Sequence, residues 1–385
     1  MRVLQVLDCY YPHYDGPVNC VINIAKVLNE KGLAEVELLV PSYPQIMEEE
    51  GVKSYRCKSV KATEGYRMSV PFFDRSIKKL IKNGGFDVIH VHSPFTLGKY
   101  AVKMAKKYNI PVCFSMHTQY KSDFERKLKS KALQKFMMNY IMKVINNSDH
   151  ILAVSNGARE TLKDYGCTHE DIAVVRNGTD MKPIKQDKSL TDEIVEKYGL
   201  KGWFTFLSVG RLVANKNIDF SLNVLSKIKN AGINNFKFLI VGAGPYLKDL
   251  ENKVETLGLK ENVVFTGKIM DRKYLAHVYA VSDLFLFPSV FDTCGIVALE
   301  AAVNSLPSVM VENTCASELI KSGENGLALP EDADIWAEEI MALMKDKSRL
   351  KLIKKNVVET LYIPWEKAIL EYFDYYEKVC KESKK

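Results

Sequence analysis

The run Phe287-Pro-Ser-Val-Phe-Asp292-Thr-Cys-Gly295-Ile-Val-Ala-Leu-Glu300-Ala-Ala302 decides how this chain is read. The apolar residues Leu284 to Phe287 suit a buried strand, and Pro288 and Ser289 bring it to a stop. From Gly295 onward, Ile296, Val297, Leu299 and Ala302 predict a mostly apolar helix. Eight positions separate Asp292 from Glu300. On one continuous helix they would stand about 80° apart around the axis and roughly 12 Å apart along it. With Asp292 on a loop and Glu300 on the helix, both can face one ligand at the strand's carboxyl end, where open α/β sheets bind their ligands. The helix N-terminus near Gly295 and Ile296 adds free N–H groups and a positive dipole end, which suit a phosphate. The plainer alternative is an ordinary strand, loop and helix with one solvated Asp and one helical Glu.

This frame resembles the signature of the family-4 retaining glycosyltransferases, which have the GT-B fold. Their pattern is a Glu, seven residues and a second Glu, set in Pro-Ser…Glu-x-Phe-Gly…Glu-Ala. Pro288, Ser289, Gly295, Glu300 and Ala301 match it. Asp292 stands where the first Glu is usual, and Cys294 where Phe is usual. The resemblance implies an α/β chain of two Rossmann-like parallel-sheet domains facing a cleft. It also implies transfer of a sugar from a nucleotide-diphosphate sugar with retained anomeric configuration.

On either side of this run the chain alternates apolar strands with helical stretches, the pattern of parallel sheets. In the first half the expected strands are Arg2–Asp8, Val36–Val40, Val88–His92, Val112–Met116, Ile151–Val154 and Ile172–Val175, with a helix at Thr96–Tyr108. Arg176-Asn-Gly-Thr-Asp180 looks like a domain-ending turn, and the polar stretch Lys182 to Glu196 a linker with a short helix. The second series is Phe204–Val209, Phe236–Val241, Val263–Phe265, Leu284–Phe287 and Ser308–Val311. The expected domains are therefore an acceptor-side unit over 1–182 and a nucleotide-sugar unit over 183–362. The resemblance sends the last helix, 363–385, back to the first domain.

Four further motifs bear on the chemistry. Gly210-Arg211-Leu-Val-Ala-Asn-Lys216 ends a strand, and two fixed cations can stabilise a departing diphosphate. The family's Gly-Arg-Leu…Lys motif gives those roles to Arg211 and Lys216. Tyr14-Asp15-Gly16-Pro17 stands where the family has Gly-Gly at a helix N-terminus, and keeps only Gly16. Gly242-Ala-Gly244 is a glycine turn without the third glycine of a dinucleotide fingerprint, so it reads as a tight turn beside the nucleotide. His117 ends the Val112–Met116 strand and matches the family's sugar-contacting His. Together with Ser93-Pro-Phe95 and Leu97-Gly98 upstream, the form His117-Thr118-Gln-Tyr120 looks most like members that glycosylate membrane lipids. By the same resemblance Glu300 binds ribose hydroxyls, and Asp292 and His117 position the sugar. His90 and His92 share a strand face without a third ligand, so packing explains them. Asp332-Ala-Asp334 follows Leu329-Pro330 and suits a helix cap. No metal and no cofactor beyond the donor substrate are expected.

Composition bounds the remaining partners. Length suggests two or three domains, and no apolar run approaches the ~20 residues of a membrane span. The opening residues lead straight into a strand, so no signal peptide is expected. Eight cysteines without paired spacing suit free thiols in a reducing cytoplasm. Residues 1–182 hold 27 Lys and Arg against 19 Asp and Glu, whereas 183–385 hold 27 against 28. The basic surplus gathers in Lys53–Lys82, whose acids are Glu64 and Asp74, and in Lys121–Lys143. The latter interleaves Phe124, Leu128, Leu133, Phe136, Met137 and Tyr140, the mixture of an interfacial helix. An anionic membrane surface at the inner face of the cell membrane is therefore a candidate partner, with a solvated basic face as the alternative. Nucleic acid is not expected, since no recognition motif accompanies the charge. The leading reading is a hexosyltransferase taking a UDP-sugar to a lipid-linked or glycan hydroxyl. The alternatives are a nucleotide-sugar 2-epimerase of the same fold and a non-catalytic sugar-nucleotide-binding protein.

Overall fold

The computed structural model describes residues 1–12, 16–45, 49–63, 66–184 and 187–383. Tyr14, Asp15 and Glu64 lie outside them. The chain forms two compact units: Met1–Gly178 together with Trp365–Lys385, and Thr179–Pro364.

In chain order the first unit contains β1 (Arg2–Val6), α1 (Gly16–Glu30), β2 (Glu35–Pro41), β3 (Ser54–Cys57) and the hairpin β4 (Ser59–Thr63) and β5 (Tyr66–Ser69). Then come α2 (Arg75–Asn83), β6 (Val88–Val91), α3 (Thr96–Tyr108), β7 (Val112–Met116), α4 (Tyr120–Lys127), α5 (Lys131–Ile145), β8 (His150–Ala153), α6 (Asn156–Asp164) and β9 (Ile172–Val174). Seven strands pair in parallel in the order β3-β2-β1-β6-β7-β8-β9. The order changes sense between β1 and β6. There the Asp8 carboxylate accepts bonds from Ser93 Oγ (3.0 Å), Leu97 N (2.8 Å) and Gly98 N (3.1 Å), so Asp8 occupies the first turn of α3. The C-terminal helix Trp365–Glu382 packs on α1 and buries Trp365, Tyr372 and Tyr376.

The expected interfacial segment is two helices. Ser130 starts α5 anew by accepting a hydrogen bond from Leu133 N. Its apolar residues also divide: Phe124 is buried, Leu128, Met137 and Tyr140 are half-buried, and Leu133 and Phe136 are exposed.

The second unit holds α7 (Lys188–Lys197), β10 (Phe204–Val209), α8 (Ile218–Asn230), β11 (Phe236–Val241), α9 (Leu247–Thr256), β12 (Val263–Gly267), α10 (Arg272–Ala280) and β13 (Leu284–Phe287). It closes with α11 (Ile296–Val303), β14 (Ser308–Val311), β15 (Leu327–Leu329), α12 (Ala333–Lys345) and α13 (Lys347–Leu361). Six parallel strands run in the order β12-β11-β10-β13-β14-β15. Alternation sends Phe206, Phe238 and Leu286 to one face, against α8, α9 and α12. Leu207, Leu239 and Phe285 go to the other, against α7, α10 and α11. Both faces are covered, which is why these strands read as unbroken apolar runs.

Candidate active site

In the second sheet the strand order changes sense between β10 and β13. Loops leaving the carboxyl ends of two such strands diverge and open a crevice. The loop after β10 carries Gly210, Arg211 and Lys216; the loop after β13 carries Asp292 and Gly295. The structure brings Lys216 and Asp292 together, with Nζ 2.6 and 2.8 Å from the two carboxylate oxygens. Their side chains are 25% and 24% exposed. Ser289 Oγ donates to Asn215 O (3.3 Å), and Asn217 Nδ2 to Pro288 O (3.4 Å), so four side-chain hydrogen bonds stitch the two loops. Arg211 is exposed on the first loop.

Glycine is required at two places here. A Cβ on Gly244 would lie 2.1 Å from Leu212 O, so the turn after β11 can support the Arg211 loop only without a side chain. Gly295 adopts φ +66° immediately before α11, a left-handed conformation that disfavours other residues. It delivers Ile296, half-buried, as the first helical residue.

Glu300, on the fifth position of α11, is not solvated. Its side chain is 6% exposed and held by two donors, Arg272 Nη2 on Oε1 (2.8 Å) and Tyr279 Oη on Oε2 (2.9 Å). Arg272 Nη2 also binds Asp180 Oδ1 at 2.6 Å. Burial pushes the Glu300 carboxyl up, while Arg272 and Tyr279 pull it down. Neither Arg272 nor Tyr279 belongs to a motif in the sequence. Their seven-residue spacing, which sets them on one face of α10, was the only signal for them.

In the first unit, Gly16 opens α1 and is exposed. His117 is 9% exposed just beyond β7, and its Nε2 lies 2.8 Å from His92 Nδ1. Burial pushes His117 down to about 4, so its ring is neutral near pH 7. His90 is fixed by Tyr376 Oη (2.6 Å) and Ser115 Oγ (2.8 Å), a packing role. Asp332 accepts from Asp334 N (2.8 Å) and Ile335 N (3.2 Å) and so caps α12, while Asp334 pairs with Lys227. No cluster of three or more His, Cys, Asp or Glu suited to a metal occurs among the described residues.

Residues 14–182 match the domain family described as Glycosyltransferase Family 4, and residues 191–359 match Glycosyl transferases group 1. Alpha-monoglucosyldiacylglycerol synthase of Streptococcus pneumoniae is 25% identical over 89% of this chain and 78% of its own. Its namesake in Acholeplasma laidlawii is 24% identical over 99% and 96%. A GDP-mannose-dependent alpha-mannosyltransferase of Corynebacterium glutamicum is 27% identical over 86% and 76%. The fold matches Anabaena HepE, solved with UDP and glucose, at a TM-score of 0.78 and 18% identity, over 97% of this chain and 99% of that one. With both halves matched and the signature loops paired across the strand-order switch, this chain belongs to the family-4 glycosyltransferases of the GT-B fold.

Proposed function

We propose that this protein transfers a hexose, with retention, from a UDP-sugar to a hydroxyl of a lipid-linked or glycan acceptor. The observation that carries the transfer chemistry is the Lys216–Asp292 pair across the β10/β13 switch. A departing diphosphate needs charge held in place before it leaves, and Lys216, Arg211 and the N-terminus of α11 supply it without a divalent ion. The leaving phosphate then helps deprotonate the acceptor on the same face. Glu300 accepts bonds from the ribose, and Asp292 and His117 orient sugar hydroxyls. Gly16 leaves the first turn of α1 open to phosphate.

Support for a lipid acceptor comes from the glucosyldiacylglycerol synthases among the relatives. It also comes from the first unit's surface. Phe72 and Phe73, on a 3-10 turn before α2, are 62% and 80% exposed, and Phe136 on α5 is 62% exposed. Between them lies α3, whose Lys103 and Lys99 reach the Phe72 and Tyr140 rings at 5.8 and 4.2 Å. Apolar tips among lysines suit an anionic interface, where each basic residue contributes about 1 kcal/mol. The mannosyltransferase relative supports a second reading, a GDP-sugar donor.

One experiment tests both readings. The protein is incubated with UDP- and GDP-hexoses and diacylglycerol in anionic or zwitterionic vesicles. Glycolipid is followed by thin-layer chromatography, and the anomeric proton by NMR. Retained configuration, a UDP donor and salt-sensitive binding to anionic vesicles are expected, with Phe73→Ser and Phe136→Ser together weakening that binding. An epimerised donor would make the protein an isomerase. Nucleotide binding without turnover on any acceptor would make it a binding protein.

A further inference from the structure

A carboxylate oxygen accepts two hydrogen bonds. Arg272 takes one on Glu300 Oε1 and Tyr279 takes one on Oε2, so each of the two oxygens keeps one acceptor direction. A vicinal cis-diol offers two hydroxyl donors in that arrangement. We propose that Arg272 and Tyr279 are positioning residues that shape Glu300 into a two-point acceptor for the 2′,3′-diol of the donor's ribose. This rests on the donor-binding reading of Glu300.

The arrangement also sets a sign. The charged and titratable groups facing Glu300 are Arg272 and Tyr279 from α10 and Asp180 from the segment that opens the second unit. The α13 residues Val357 and Leu361 are apolar and pack with Ala302, about 200° around α11 from Glu300. Asp180 and Glu300 share one guanidinium nitrogen, so Asp180 competes for the charge that keeps Glu300 ionised. Donor affinity requires the carboxylate and falls as pH drops through its titration. Removing Arg272 moves that acid limb to higher pH, whereas removing the Asp180 charge moves it to lower pH. A residue that merely supported the fold would not give opposite shifts.

The test is calorimetric titration of the whole chain with UDP, GDP and 2′-deoxy-UDP between pH 5 and 8. Arg272→Met should weaken UDP about tenfold or more at pH 7 and raise the donor KM more than it lowers kcat, and Arg272→Lys should recover part of the loss. Tyr279→Phe should weaken UDP severalfold. Wild type should prefer UDP to its 2′-deoxy form about tenfold, and Arg272→Met should lose most of that preference. If Glu300→Gln binds like wild type, the ribose reading of Glu300 falls, and this inference with it. If Glu300→Gln weakens binding while folded Arg272→Met keeps wild-type affinity and acid limb, the positioning role alone is overturned. Should Arg272→Met not fold, Asp180→Asn decides: an unmoved acid limb overturns the inference.

Discussion

Replacing Lys216 with Ala removes the cation from one side of the switch crevice and leaves the Asp292 carboxylate without its partner. A phosphate oxygen about 4 Å from the ammonium interacts by about 4 kcal/mol at an effective dielectric of 20. The pair is about one-quarter exposed and Arg211 shares the loop, so water and that neighbour recover part of the loss. About 3 kcal/mol then remains, which is about 10²-fold in kcat. Stability should change little, because a solvent-reachable pair contributes about 0–1 kcal/mol. Single-turnover rates at saturating donor, beside thermal melts, separate the two quantities. The double variant with Asp292→Ala tells whether Lys216 acts on the donor or only holds Asp292: in the second case it equals Asp292→Ala alone. Asp292→Asn should cost more than Asp292→Glu, since the former loses the charge and the latter moves it by one methylene. A Lys216→Ala enzyme within threefold of wild-type kcat would refute the electrostatic role.

Burial pushes His117 to about 4, against about 6.5 for a free imidazole, so the unfolded chain binds more protons between those values. Folding stability should therefore fall as pH drops from about 6.5 towards 4, by up to about 1.4 kcal/mol per pH unit for this group. His90 and His92 are shifted in the same direction, and urea titrations at pH 7, 6 and 5 should show a flatter profile for His117→Asn. Asp332→Ala should cost about 1 kcal/mol of capping and leave transfer in excess EDTA unchanged, whereas loss with EDTA and rescue by Mn²⁺ would make Asp332 and Asp334 a metal site. Gly244→Ala drives a methyl into Leu212 O and should destabilise the second unit by about 1–3 kcal/mol in denaturant titrations, displacing the Arg211 loop.

Strands Val112–Met116, Phe204–Val209, Phe236–Val241 and Leu284–Phe287 have the bounds that the sequence suggests, because a strand covered on both faces is one apolar run ended by a turn. Strands β3, β4 and β5 were not legible. They are short and half polar, at or beyond the sheet edge, and carry no such run. The break between α4 and α5 was hidden for a related reason: lysines and apolar residues continue through it, and only the Ser130 cap marks it. Lys216 and Asp292 were both legible, each in its own motif, but their contact across 76 positions was not. Arg272 and Tyr279 lie on an amphipathic helix where one reads as a solvated cation and the other as core. Asp180 read only as part of a turn.

The last helix has a consequence for how the protein is made. Tyr376 completes the hydrogen bonding of His90 in the middle of the first sheet, and Tyr372 and Trp365 are buried in the same unit. That unit is discontinuous in the chain, whereas the second is one uninterrupted segment. At about 5–20 residues per second, a ribosome finishes the first sheet roughly ten seconds or more before it supplies the helix that covers it. Throughout that interval the nascent N-terminal half carries an uncovered apolar face, while the second unit can close as soon as it emerges. Expressed separately, Thr179–Pro364 should accumulate as a folded fragment, whereas residues 1–178 should depend on chaperones or on the tail supplied in trans.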